Sequence, residues 1–201
     1  MANGNADLAG LAGRTVSARS DSRRSRERLI DAVQLWMQEH SAPPERLVDV
    51  AAAAGVSTAT AYRHFASVDD LIRAFVLQLP VRAAELFATS GGQSTDPLDS
   101  LTRWNQSWVA ACVEHGELAV HLRSPVGFLQ RRSDGDPAIT FACSLIEPLL
   151  QQFDGDVTMM LFTWNVTSDP REVLDLQRLG WPVNKIANYV TRVVLATPSP
   201  D

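Results

Sequence analysis

The chain has 201 residues, 45% of them hydrophobic and 20% charged, an ordinary globular balance with enough length for a substantial core. No apolar run reaches the ~18 residues that span a bilayer, and the opening residues hold no secretory segment beyond the fragment Leu8-Ala9-Gly10-Leu11. Two cysteines, Cys112 and Cys143, make no disulfide framework, so a reducing cytoplasm and no membrane partner are expected. A net charge of −5 argues against indiscriminate coating of nucleic acid, but its distribution is uneven. Residues 1–66 carry eight arginines against seven carboxylates, whereas the remainder carries ten bases against sixteen acids. A basic-leaning end on an acidic body suits local contact with DNA.

Residues 1–21 are rich in Ala, Gly, Ser, Asn and Asp without periodicity, and read as a disordered arm. Arg14, Arg19, Arg23 and Arg24 give that arm a means of touching DNA; a solvated tail is the blander reading. A first helix is expected from Ser22 or Ser25 to His40, with Leu29, Val33, Trp36 and Met37 at i, i+4, i+7, i+8. Its first turns crowd Arg23, Arg24, Arg26 and Arg28 against the helix dipole, either facing a phosphate backbone or simply solvated. Pro43-Pro44 stops it, and Pro44 opens a second helix on which Leu47, Val50, Ala51 and Ala54 form one apolar stripe. Gly55 then makes a tight turn, and Ser57 starts a short third helix. Its outer face carries Ser57, Thr58, Thr60, Tyr62, Arg63 and His64; Val56, Ala61 and Phe65 supply packing. Helix, glycine turn, helix is the arrangement whose second helix enters the major groove.

Ser67 caps a fourth helix carrying Leu71, Ile72, Phe75, Val76 and Leu79, which Pro80 should kink or split. The rest reads as all helix, punctuated by Asp96-Pro97, Asp136-Pro137 and Asp169-Pro170, each a capping carboxylate before a proline at the first helical position. Helices are expected over 97–115, 117–123, 137–153, 157–166, 170–179 and 182–196, with an irregular piece around Pro125, Gly127, Asp134 and Gly135. The run 157–166 has strand-like composition and is assigned to helix by its company.

With Leu47–Phe75 in view, the chain resembles the TetR family of transcriptional regulators. The resemblance rests on Val50-Ala51-Ala52-Ala53-Ala54-Gly55-Val56-Ser57, on Thr60-Ala61-Tyr62-Arg63-His64-Phe65, and on Leu71. A weaker echo covers Trp164-Asn165 through Asp169–Leu176 and Leu179-Gly180-Trp181. Departures are Ala59 where the family often has Gly, Arg46 where it often has Thr, and Val68 where a Lys commonly opens helix four. Arg46 is placed to substitute for that lysine. The resemblance implies an all-α homodimer: a three-helix DNA-binding domain over 22–66 and a C-terminal helical domain over 67–201 for dimerisation and ligand binding. It implies no cofactor and no catalysis. Its partners would be double-stranded DNA bearing a palindromic operator, a second copy, and a small hydrophobic effector, with repression the commoner outcome. A dimer spans two half-sites ~34–36 Å apart and so reads more sequence than one short helix.

On that frame Thr58, Ala59, Tyr62 and Arg63 face base edges, Arg63 being suited to guanine. Ser57, Thr60, Tyr62, His64 and Arg46 bond phosphate. Trp104, Trp108, Cys112, Phe128, Phe141, Phe162 and Trp164 are candidates for an apolar ligand pocket, each also readable as plain core. Val173, Leu176, Val183, Ile186, Val190 and Val194 are candidates for the dimer seam, with monomer core as the alternative. Cys112, His115, His121 and Cys143 offer no closed four-ligand spacing for a metal. No nucleophile motif, glycine-rich phosphate loop or paired carboxylates point to an enzyme. A helical ligand-binding or adaptor protein that no longer binds DNA is the second reading.

Overall fold

The computed structural model describes the backbone of residues 5–40, 42–120 and 124–197, and their side chains apart from 5–19 and 116–120. The described residues form eleven helices and no strand: α1 (Asn5–His40), α2 (Leu47–Ala53), α3 (Thr58–His64), α4 (Val68–Val76), α5 (Gln78–Thr89), α6 (Pro97–Val120), α7 (Phe128–Ser133), α8 (Pro137–Leu150), α9 (Val157–Thr167), α10 (Pro170–Arg178) and α11 (Val183–Leu195). They divide into two compact units, residues 1–75 and 76–201. None of the described helices is long and apolar enough to cross a membrane.

In the first unit α1, α2 and α3 pack against one another pairwise. Their interior is Leu29, Ile30, Val33 and Met37 from α1, Leu47, Val50 and Ala51 from α2, and Ala61 from α3, closed by Phe65. Ala51 and Ala61 are buried and small, which lets two helices of seven residues each approach closely. The chain leaves α2 through a left-handed residue, Gly55 at φ 61°. Val56 N–H donates to Ala51 O (2.9 Å) and Gly55 N–H to Ala52 O (3.1 Å). These are the paired bonds of a Schellman ending, which satisfies carbonyls that the helix leaves open.

The second unit is built around α6, which packs against α5, α8, α10 and α11. Its buried stripe, Leu101, Trp104, Trp108, Ala111 and Cys112, meets Ile146 and Leu149 of α8, Trp164 of α9, Val173 of α10 and Ile186 and Val190 of α11. Each large side chain fully removed from water contributes about 1.5–3 kcal/mol. One polar node crosses this apolar interior. The buried Asn105 donates from Nδ2 to Thr191 Oγ1 (2.9 Å), and its Oδ1 accepts from Trp164 Nε1 (3.0 Å). Trp108 Nε1 donates to Ser168 O (2.8 Å).

Four expectations are corrected. Helix α1 reaches back to Asn5 through the segment read as a disordered arm, since no proline precedes Pro43 and Ala6, Leu8, Ala9, Leu11 and Ala12 favour helix. Helix α6 runs unbroken through Gly116, whose cost of roughly 1 kcal/mol is small beside the packing of a 24-residue helix. A short α7 fills the piece expected to be irregular, seated by the buried Phe128. The fourth helix divides at Leu77, upstream of Pro80. Pro80 is the third residue of α5, where a missing N–H leaves no helical bond unmade. The segment 157–166 is helical, as α9, with Asp156 accepting from Thr158 N (2.7 Å) and Met159 N (3.1 Å).

Asn105→Ala strands the Trp164 indole N–H and removes a partner of Thr191, so it should destabilise the second unit by about 1–3 kcal/mol. Urea denaturation checks this; an unchanged midpoint would mean that the node carries no stability.

Candidate nucleic-acid interface

The candidate interface begins with the cap of α3. Ser57 Oγ accepts from Thr60 N–H (3.1 Å), and the Ser57 hydroxyl donates to Thr60 Oγ1 (2.9 Å). This closed pair fixes the first turn of a seven-residue helix that would be marginal by itself. It also occupies the Ser57 proton, leaving the Thr60 hydroxyl as the member of the pair with a proton to offer a phosphate.

Around that cap the exposed and buried positions alternate as a helix requires. Thr58, Ala59, Tyr62 and Arg63 are exposed, while Ala61 and Phe65 are buried. Tyr62 keeps 55% of its surface in solvent, a large share for an aromatic side chain on a packed helix. The first unit's other arginines are more committed. Arg28 Nη2 donates to Gly55 O (3.3 Å), tying α1 to the turn, and the Arg26 guanidinium lies 5.3 Å from the Phe65 ring centroid. Arg23 pairs with Glu27 (3.3 Å) and Arg24 with Asp21 (3.6 Å). The arginines crowded on α1 thus serve the fold as well as the charge balance. Arg14 and Arg19 lie outside the described side chains.

Arg46 makes a two-pronged pair with Asp49, Nε to Oδ2 at 2.9 Å and Nη2 to Oδ1 at 2.7 Å. Both groups are solvent-facing, where such pairs contribute ~0–1 kcal/mol, so an incoming phosphate competes with Asp49 on nearly equal terms. His64 is half-buried, and its Nε2 is enclosed without a hydrogen-bond partner. Burial first, then the neighbouring Arg63 and Arg26 charges, hold its pKa below the ordinary imidazole value. The ring is therefore neutral near pH 7 and has only Nδ1 free to meet a phosphate.

The other sequence candidates fall in the second unit. Trp104, Trp108, Cys112, Phe128 and Trp164 converge in one buried cluster, with the Trp108 and Trp164 rings 4.7 Å apart. Phe162 does not join them: it is exposed, and Phe141 is half-buried outside the cluster. Of the seam candidates, Val173, Ile186, Val190 and Val194 are wholly buried within a single chain, and Leu176 and Val183 pack half-buried against the same core. Their stripes seat α10 and α11 on α6, so the three valines and Ile186 that are wholly buried present nothing to a partner. An apolar stripe has the same periodicity whether it meets its own core or another copy. The signal that separates the cases is a second stripe: α9 exposes Met159, Phe162 and Val166 at i, i+3, i+7.

Cys112 and Cys143 are buried free thiols whose pKa values burial raises, which keeps them protonated. No group of three potential ligands is placed to hold a metal among the described residues, and His121 lies outside them.

No family model matches the sequence, and no curated protein matches it. The fold does have solved counterparts. The fatty acid degradation regulator FadR from Bacillus halodurans aligns at a TM-score of 0.65 and 16% identity, over 85% of this chain and 94% of that one. The TetR-like regulator LfrR from Mycobacterium smegmatis, solved with proflavine, aligns at 0.54 and 16%, over 89% and 98%. The multidrug binding protein EbrR, solved with imidazole, aligns at 0.53 and 23%, over 88% and 96%. The chain has the TetR-like transcriptional regulator fold.

Two measurements probe the interface's construction. Gly55→Ala puts a Cβ 2.7 Å from Arg28 Nη2 and forces a left-handed alanine; the guanidinium can swing away but the backbone cannot. It should cost about 1–2 kcal/mol in chemical denaturation. For His64 the depressed pKa means that the unfolded chain binds a proton first. Stability is therefore full above about pH 6.5 and falls as pH drops below it. His64→Gln should flatten that slope; an unaltered slope would place the titration elsewhere.

Proposed function

We propose that the protein is a cytoplasmic, homodimeric transcriptional regulator. In this reading it binds a palindromic operator in double-stranded DNA through α3, and a small hydrophobic effector in the second unit releases it, as from a repressor. The observation that carries the reading is the outer face of α3. A capped helix presents Thr58, Tyr62 and Arg63 to solvent, with the cation of Arg63 bound to no carboxylate among the described residues. Such a helix offers base-edge donors and acceptors without first breaking internal bonds.

Arg63 is assigned to a guanine edge, with Thr58, Ala59 and Tyr62 beside it. Thr60, the Tyr62 hydroxyl, His64 Nδ1 and Arg46 fix register on phosphates, with Ser57 holding the helix start. For the second copy, the exposed Met159, Phe162 and Val166 of α9 replace the buried stripes as the seam. Effector binding is supported by the aromatic core of the second unit and by the proflavine and imidazole held by two structural neighbours. By linkage, an effector that lowers operator affinity must itself bind less tightly to the DNA-bound protein.

A second reading, a ligand-binding protein with a silent DNA-binding unit, is favoured by Asp49 neutralising Arg46 and by Val68 where a lysine would anchor phosphate. Selection from a random duplex library, followed by titrations at several salt concentrations, separates them: a regulator recovers a palindrome and shows a steep salt slope. Arg63→Ala should cost about 1–3 kcal/mol on that palindrome and relax preference at one base pair per half-site. A uniform loss on all sequences would reassign Arg63 to phosphate. Phe162→Glu should give a monomer in sedimentation and weaken operator binding; a dimer with unchanged affinity would put the seam elsewhere.

A further inference from the structure

Between residues 20 and 75 the first unit carries seven arginines against eight carboxylates, so it holds no surplus of cations to offer a polyanion. How each arginine is engaged in the free protein then decides how it can bind one. Arg28 donates to the Gly55 carbonyl, Arg26 lies over the Phe65 ring, and Arg63 meets no carboxylate among the described residues. Arg23, Arg24 and Arg73 pair loosely, with Glu27 (3.3 Å), Asp21 (3.6 Å) and Asp70 (3.3 Å).

Arg46 is held differently. One edge of its guanidinium meets both oxygens of Asp49, Nε to Oδ2 at 2.9 Å and Nη2 to Oδ1 at 2.7 Å. That planar fork is the geometry in which arginine also takes a phosphate. The two residues bracket the start of α2: Arg46 is the N-cap residue and makes no side-chain cap, and Asp49 lies in the first turn. A carboxylate there is favoured by the helix dipole and has reason to stay. The Arg46 side chain keeps 71% of its surface in solvent against 30% for Asp49, so the guanidinium is the partner that can leave. Its hydrogen bonds hold the Asp49 carboxyl below the usual carboxylate range, so both groups are ionised at neutral pH.

In helix-turn-helix docking the helix ahead of the recognition helix crosses the sugar–phosphate backbone. No lysine opens α4 to anchor a phosphate there; Val68 is followed by Asp69 and Asp70. Trading Asp49 for a phosphate exchanges one forked, charge-assisted pair for another and is near balance. The exchange therefore goes forward only where a phosphate is delivered at hydrogen-bond distance, and a helix seated in the groove fixes that register. A protein hopping along arbitrary duplex does not.

We propose that Asp49 is a specificity-determining residue of the DNA-binding unit: it keeps Arg46 on the protein during encounters with arbitrary duplex and releases it to a backbone phosphate only once α3 is seated on its operator. The proposal rests on the DNA-binding reading above and adds to it a residue that touches no base.

The test titrates the full-length protein at several salt concentrations against two duplexes, the one recovered from the random library and a shuffled duplex of the same composition. Asp49→Asn keeps the side chain's shape and removes its charge. It should tighten the shuffled duplex about three- to tenfold at about 0.1 M salt and steepen its salt slope by about 0.9 per half-site. The selected duplex, on which Arg46 already meets phosphate, should keep its slope and gain less, so the ratio of the two affinities falls. Arg46→Gln should weaken the selected duplex and flatten its slope by about 0.9 per half-site while leaving the shuffled one unchanged. Adding Arg46→Gln to Asp49→Asn should cancel the gain on the shuffled duplex, because that gain runs through the guanidinium. Equal gains on both duplexes, no gain on the shuffled one, or a gain that survives in the double variant overturns the proposal and spares the regulator reading. An unsubstituted protein that prefers no duplex over its shuffled counterpart overturns both.

Discussion

The left-handed backbone at Gly55 decides which way α3 faces, and with it the surface that the first unit presents. A residue with φ near +60° reverses the chain in one step, and the two bonds back to Ala51 and Ala52 hold that reversal. With the turn fixed, Ala61 and Phe65 must point inward. Thr58, Tyr62 and Arg63 are then left outside by the helical repeat itself. Arg28 reinforces the turn from α1 by bonding the Gly55 carbonyl. The exposed face of α3 is thus a consequence of how its opposite face is held.

The same arrangement explains how a chain of net charge −5 keeps a focused cation at one surface. Most of the first unit's arginines are spent locally: on a carbonyl, on an aromatic face, or on a neighbouring carboxylate. These contacts lower the unit's general attraction for polyanions without lowering it at Arg63. Sequence selectivity gains wherever the unspecific part of binding is weak, since unspecific sites compete with specific ones.

Much of the fold was legible because its punctuation is chemical. Asp before Pro starts α6, α8 and α10, and in each the carboxylate accepts the expected backbone N–H groups. Gly180, at φ 81°, ends α10 as its position implies. What misled was information that local sequence does not contain. Gly116 looks like a stop, yet tertiary packing outweighs a glycine's small helix penalty. The stripes of α10 and α11 were ambiguous because a core and a seam select the same residues at the same spacing; only burial in the single chain assigns them inward. Phe162 was grouped with the tryptophans by composition, although it sits two residues from Trp164 and so on a different face of α9. Of the candidate interface, Ser57 and Gly55 announced themselves by residue type. The Arg46–Asp49 pair and the enclosed His64 nitrogen needed coordinates, because both depend on rotamers.

Neither unit buries an ionised side chain among its described residues, and this constrains how a signal can arise in the second. The first unit leaves its ionised groups in solvent, where salt screens them. The second has an interior without ionised groups among its described residues, so a molecule taken up there would act through shape and hydrogen bonding. Such a signal need not be weak. Helix α6 touches α5, α8, α10 and α11 at once, and a close-packed interior has little free volume in which to absorb a displaced ring. The polar node at Asn105 ties α6 to α9 and α11 by two directional bonds.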